Sequence, residues 1–439
     1  MACVKKFKYA RFFFCCAAIL ALVACGSGGG SSGGSNTSSS SSSSSSGSSA
    51  PSNFDYTGMF ANLSDEIFIP TYTQFANNAA EFASDTGALN TYCESLGTQQ
   101  EANNLASARS SWTALMLTWQ KAEVFQFGPV TDNSSRDRNV IHGYGKSTGL
   151  DTCLVDRNVI RAESEGFDIS EFVNSSRGLG TLEYLLFNEN LEHTCAANET
   201  ETQAWNARPA GERQVARCNY AKLAASDMSN FAASILSDWT AQGDNFRTEL
   251  VQSANPEEFL QGLSDAIFYI EKVTKDIKLG IVTGIKQIGS GDDFCANAAC
   301  PERVEFPYST ASLESIKTNL ETFWDIYTGN EGSGFDDIIS AAGMPQINQS
   351  FETDVTAAIE FVDSMIQSDT NLLDQAQTIL SSAQAQQSCA NSNSNPEAAE
   401  VLTACALHGL TKRISDRLRT DFILAVQVDL PAGAQADND

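Results

Sequence analysis

Few residues in this chain combine a reactive type with a telling position. Residues 175–190 read SSRGLGTLEYLLFNEN, in which Glu183 is the one acid inside the apolar run that follows Gly178 and Gly180. A carboxylate in such a helix holds a ligand or pairs with a cation such as Arg109 or Arg177, since an unpaired buried charge is costly. Glu123 is the second candidate. Arg109, Trp112, Met116, Trp119, Glu123 and Gln126 recur at spacings of three and four and so share one helical stripe. Glu305 is the third, just ahead of Phe306-Pro307-Tyr308-Ser309. One carboxylate offers too few oxygens for a tight transition-metal site, so Glu183 would need Glu123 or Glu305 beside it.

Other chemistries are poorly supported. The histidines, His142, His193 and His408, fall in separate regions, and no HExxH places two imidazoles on one helical face. Gly143-Tyr144-Gly145-Lys146-Ser147 looks superficially like a phosphate-binding loop, but Val140 stands where its first glycine belongs. His142 reads as a loop residue in a basic patch with Arg136, Arg138 and Lys146, suited to an anionic group such as a haem propionate or a siderophore. Trp112, Met116 and Trp119 read as core, Gly178 and Gly180 as a close helix contact or an exposed helix start, and Ser309 and Ser312 as a helix cap near Leu313.

The elements that must position these residues are helical nearly throughout. Beyond the tryptophan stripe, which Gly128-Pro129 ends, helices are expected at about 57–92 (kinked at Pro70), 176–188, 213–250, 256–287, 310–327, 347–367, 370–386 and 396–424. Alternating strand patterns are scarce, so the fold class is all-α, built of bundles. Ser253-Ala254-Asn255-Pro256 marks a boundary between residues 53–252 and 253–439. The stretches 129–165 and 289–309 are expected to be irregular and pinned by cysteine.

The N-terminus is a targeting device. Lys5, Lys6, Lys8 and Arg11 precede an apolar run ending in Leu22-Val23-Ala24-Cys25, which resembles a bacterial lipobox. Residues 1–24 are read as a lipoprotein signal, with Cys25 acylated and residues 25–52 a Gly/Ser tether reaching about 30 Å. No aspartate follows Cys25, so an outer-membrane location is expected. The formal charge of −27 disfavours nucleic acid. Of twelve cysteines, Cys3, Cys15 and Cys16 leave with the signal. The remaining even set beyond Cys25 reads as disulfides; order along the chain favours Cys195–Cys218, Cys295–Cys300 and Cys389–Cys405, leaving Cys93–Cys153.

Several colinear patterns go beyond composition. They are Trp119-Gln120-Lys121-Ala122-Glu123 with Phe127-Gly128-Pro129; Arg177-Gly178-Leu179-Gly180-Thr181-Leu182-Glu183-Tyr184-Leu185-Leu186-Phe187; Glu271-Lys272 and Leu279-Gly280; and Val304 to Ser312 followed by Asn319-Leu320 and Tyr327-Thr328-Gly329. Together they resemble the imelysin family over essentially the whole folded part, and Asp437-Asn438-Asp439 is similar to the family's short acidic end. The resemblance implies two helical-bundle domains packed side by side, with a binding cleft between them. Trp119, Glu123, Gly180, Glu183, Glu305 and Ser309 are the candidate cleft residues, with Glu183 and Glu123 the candidate metal ligands. It also implies an extracytoplasmic lipoprotein that takes iron, haem or another metal species, alongside outer-membrane iron-uptake components. Some members carry a peptidase label. The family's central GxHxxE sets a histidine and a glutamate three apart on a helix, but here Gly180 stands in the histidine's place. That disfavours a metallopeptidase, the runner-up reading; a partner-binding scaffold is the third.

Overall fold

The chain's elements follow from where its turns force helices to stop. A computed structural model describes residues 54–143, 150–287, 298–399, 401–431 and 434, all within one compact unit, Ser48–Asp439. Signal, acylation and tether expectations, Cys295, Lys146 and the acidic end lie outside the described residues. The helices are α1 (Tyr56–Leu63), α2 (Ile69–Ala83), α3 (Ala88–Glu94), α4 (Glu101–Glu123), α5 (Asp132–His142), α6 (Thr152–Arg161), α7 (Gly178–Phe187) and α8 (Ala210–Trp239). The second half continues with α9 (Phe246–Val251), α10 (Pro256–Ile267), a π-helix (Ile270–Ile281), α11 (Ser312–Thr328), α12 (Phe335–Ala341), α13 (Pro345–Gln367), α14 (Leu372–Ser381), α15 (Ala383–Ser394) and α16 (Thr403–Arg417). There is no strand among the described residues, and the fold is all-α.

Several expected helices differ in detail. Pro70 does not sit in a kinked α-helix. Tyr56–Ala83 is one unbroken helical run in which a π-segment, Ser64–Phe68, stands just ahead of the proline, where the hydrogen-bond ladder shifts register. The stretch 213–250 is two helices: α8 stops where Thr240 turns extended, and α9 starts after Asn245, left-handed at φ 56°. The stretch 129–165 is largely helical rather than irregular: α5 closes on left-handed Gly143, and Asp151 caps α6 by accepting from the Leu154 N–H.

In the first half, α2 packs on α4 and α8, while α7 packs on α4, α5 and α8. In the second, α11 packs on α13, and α16 on α13, α15 and the π-helix. The two sets meet where α4 lies on α11. Trp112, Met116 and Trp119 face this interior with no exposed surface.

Helix packing also decides the disulfides. Cys93 on α3 bonds Cys218 on α8, and Cys153 on α6 bonds Cys195. The expected Cys195–Cys218 and Cys93–Cys153 pairs are therefore corrected: α3 docks on α8, putting residues 125 apart in sequence within reach. Cys389 and Cys405 are bridged, and Cys300 is in a disulfide.

Candidate functional site

Two glycines set the site's outer wall. Gly143 and Gly178 both have positive φ, and their backbones interlock. A Cβ on Gly178 would stand 2.1 Å from the Val140 carbonyl oxygen; one on Gly143 would stand 2.1 Å from that of Arg177 and 3.2 Å from the Gly180 nitrogen. Only glycine serves at both positions. The end of α5 is thereby pinned to the start of α7, and His142, next to Gly143, is held in place.

The last turn of α4 supplies Trp119, Gln120 and Glu123, with Gln120 and Glu123 three apart on one face. The π-helix supplies Lys278, with Tyr269 just ahead of it. Glu305 comes from the segment before α11, and Ser315 and Asn319 from α11 itself.

These groups form one buried cluster in which each carboxylate oxygen has its own partners. Glu123 Oε1 lies 2.9 Å from His142 Nδ1 and accepts from the Trp119 indole at 3.0 Å. Glu123 Oε2 accepts from the Tyr269 hydroxyl at 2.5 Å and lies 3.7 Å from Lys278 Nζ. Glu305 Oε1 lies 3.5 Å from His142 Nε2, while its Oε2 meets Lys278 Nζ and the Ser315 hydroxyl, each at 2.9 Å. Lys278 also donates to Gln120 Oε1 at 2.5 Å, Asn319 Oδ1 at 2.8 Å and Ser315 Oγ at 3.0 Å. The imidazole thus spans two carboxylates on one side, and the ammonium spans them on the other.

Electrostatics follow from that geometry. Burial opposes ionisation of Glu123, but the charge and hydrogen bond of His142, with Lys278 and Tyr269, outweigh it and hold the carboxyl well below the usual range. Burial alone would lower His142; Glu123 and then Glu305 outweigh it against Lys278, and the imidazole is raised above its ordinary value. Burial, with Glu123 and Glu305 adding to it, pushes the Tyr269 phenol far above its usual value. Chemically, the cluster can keep a proton on His142 between two carboxylates, or exchange it for a cation. The ligand atoms of Glu123, His142 and Glu305 all lie within 4.8 Å of one another, the one such His/Cys/Asp/Glu group among the described residues.

Of the residues named from sequence, Glu123, Glu305 and Trp119 meet here. Glu183 is not in the group, although it was the leading candidate. Its Oε1 accepts from the Tyr308 N–H at 3.0 Å, the Ser309 N–H at 2.8 Å and the Ser309 hydroxyl at 2.8 Å. Nor does it pair with the arginines considered for it: Arg177 makes a two-pronged contact with Asp227, and Arg109 binds the Leu186 carbonyl and Glu189. Glu183 braces the segment that carries Glu305, where Phe306 and Thr310 adopt left-handed backbones that non-glycine residues rarely take. Ser309 and Ser312 do not cap α11 by their side chains; Ser312 instead donates to the Glu305 carbonyl. Gly180, buried, lies against the backbone of Gly143. Sequence reasoning missed His142 as a partner of Glu123, along with Gln120, Tyr269, Lys278, Ser315 and Asn319. One usable signal was Lys278 between Ile277 and Leu279, a lysine in an apolar run.

The class is thus an all-helical protein with a buried carboxylate–imidazole cluster where α4 meets α11. The imelysin family model matches residues 68–395, most of the chain, and the protein belongs to the imelysin family. It is 22% identical over 275 residues to "Iron-regulated protein A" of Synechococcus elongatus. That match spans under two thirds of either chain, 62% of this one and 64% of the relative. Among solved structures, an imelysin-like protein of Psychrobacter arcticum aligns with TM-score 0.59 at 14% identity, over 86% of this chain and 97% of that one. A protein of Parabacteroides distasonis, described as an iron-regulated protein A precursor, aligns with TM-score 0.53 at 16% identity, over 83% and 95%. At such identities the structures show a common fold. Family membership points to an extracytoplasmic setting, in keeping with the disulfides. No helix among the described residues is long and apolar enough to cross a membrane.

Proposed function

We propose that this protein is a lipid-anchored, outer-membrane binding protein that takes up a metal ion, iron foremost, through Glu123, His142 and Glu305. The observation that carries the reading is their convergence: two carboxylates and an imidazole with ligand atoms within 4.8 Å of one another. Oxygen and imidazole donors without thiolate suit iron, manganese or zinc. Trp119, Tyr269 and Ser315 hold the carboxylates from behind, the outer support that ligands in metal sites receive. The iron-regulated relative and the family favour iron as cargo.

A metal ion fits better than haem, because both imidazole nitrogens face carboxylates and leave no face for a porphyrin. A binding role fits better than peptidase chemistry, because Gly180 stands where the family's motif has its histidine. Acylated Cys25 and the Gly/Ser tether would hold the folded part near the membrane, where outer-membrane iron-uptake components are the natural partners.

The test is titration of the purified mature protein with iron, copper and haem, followed by calorimetry and melting temperature. Binding of the metal ions but not haem, weakened in Glu123→Gln and Glu305→Gln, is expected. No binding of any of them at micromolar level would sink the reading, and chelator-sensitive peptide cleavage would replace it.

A further inference from the structure

Resting on the metal reading above, we infer that the site takes its cation together with an oxyanion, because Lys278 has already neutralised half of the site's negative charge and Arg138 offers the anion a seat. Glu123 and Glu305 bring two negative charges, and Lys278 returns one positive charge between them, 3.7 Å and 2.9 Å from their oxygens. An imidazole ligates a metal in its neutral form. A divalent ion therefore leaves the cluster one positive charge in surplus, and a trivalent ion leaves two. The Lys278 and Glu123 side chains are only 4% and 5% exposed, so solvent does little to offset that surplus. Lys278 is a permanent part of the cluster, since Gln120, Ser315 and Asn319 hold its ammonium as well.

The compensating anion must come from outside, and the approach is on the His142 side, where the side chain is 22% exposed. Arg138 lies one turn before His142 on α5, on the same face. Its charge acts on Tyr269 and Tyr72, which sets the guanidinium on the site's side of α5. It makes no ion pair among the described residues and is half-buried. A guanidinium matches a planar oxyanion in a two-pronged hydrogen bond. The ligand chemistry is thus a metal ion bearing a carboxylate or carbonate oxygen, supplied by a free small oxyanion or by an organic chelator.

The experiment titrates the mature protein with Mn²⁺ by calorimetry in three buffers: chloride only, with bicarbonate, and with citrate. Bicarbonate is expected to tighten Mn²⁺ binding by roughly tenfold or more; a response to citrate alone would identify the chelator as the anion's source. Arg138→Gln, a substitution at a half-buried position, is expected to lose the anion effect with a chloride-only affinity no weaker than that of wild type. Lys278→Met is expected to bind Mn²⁺ without any anion. If wild type binds Mn²⁺ equally in all three buffers, or Arg138→Gln keeps the anion effect, the inference fails and the metal reading stands. If no variant binds Mn²⁺ in any buffer while iron and copper also fail, the metal reading falls and this inference falls with it.

Discussion

Glu183 and Glu123 are buried glutamates on neighbouring helices, α7 and α4, yet their surroundings differ in kind. Glu183 is answered by two backbone amides and a hydroxyl from one loop. Glu123 is answered by an imidazole, an ammonium, a phenol and an indole from three different elements. The described partners in the first set are neutral and fixed by the chain's own path. The second includes a proton on His142 that a cation can displace. Burial alone would have ranked the two carboxylates equally; the chemistry of their partners tells the brace from the site.

The brace gives the largest expected effect. Glu183→Ala leaves two amides and a hydroxyl without an acceptor beside a loop that already contains two left-handed residues. A loss of about 3 kcal/mol of unfolding free energy is expected, read from urea denaturation. A variant as stable as wild type that no longer binds metal would reverse the roles assigned to the two glutamates. Gly178→Ala comes next. Its Cβ would meet the Val140 carbonyl at 2.1 Å from a positive-φ backbone, so about 2 kcal/mol is expected to be lost. Because the same contact holds His142, metal affinity should fall too; loss of stability with affinity intact would show that His142 is placed by something else.

A sharper contrast comes from exchanging charge for shape. Glu305→Gln removes a ligand charge and is expected to weaken Mn²⁺ binding by about tenfold or more, roughly 1.4 kcal/mol. Glu183→Gln keeps an acceptor toward the loop and is expected to leave Mn²⁺ affinity nearly unchanged while lowering stability. Equal losses of affinity in both variants would mean that Glu183 belongs to the site after all.

How much of this was legible in the chain depends on how local each signal is. Helix spacing made the tryptophan stripe readable and placed Glu123 on it, because three- and four-residue periodicity is a property of neighbours. Glu183 stood out as a charge among apolar neighbours, but its sequence left ligand and structural roles open, since its described partners lie more than a hundred residues away, at Tyr308 and Ser309. His142 was hidden because α5, DNSSRDRNVIH, is almost wholly polar until its last turn and so lacks an apolar stripe. The cluster's imidazole comes from the end of α5, not from α7, which carries Gly180, and no spacing rule reveals that. Lys278 was hidden for the opposite reason: a lysine on a helix reads as solvent-facing until packing closes over it. Local order along the chain misassigned two disulfides for the same cause, the docking of α3 on α8.

The smallest expected effect bears most directly on exchangeability, and it lies in the pH dependence of stability. His142 is raised in the folded state, so its contribution is fully present below its unfolded value of about 6.5 and is lost as pH rises through the folded value. Glu123 is depressed, so its contribution is present above about 4.3 and is lost only as pH falls through the folded value. Both are therefore at full strength between roughly pH 4.5 and 6.5. His142→Gln should cost most in that window, of the order of 1 kcal/mol, and progressively less toward alkaline pH. Ser309→Ala, which removes a donor from Glu183, should cost about 1 kcal/mol with no such trend, because hydroxyl and amide partners do not titrate there. Denaturation midpoints for both variants against wild type across the range decide the point. If the His142→Gln difference is flat or grows with pH, the imidazole is a fixed neutral strut, and the distinction between an exchangeable site and a rigid brace disappears.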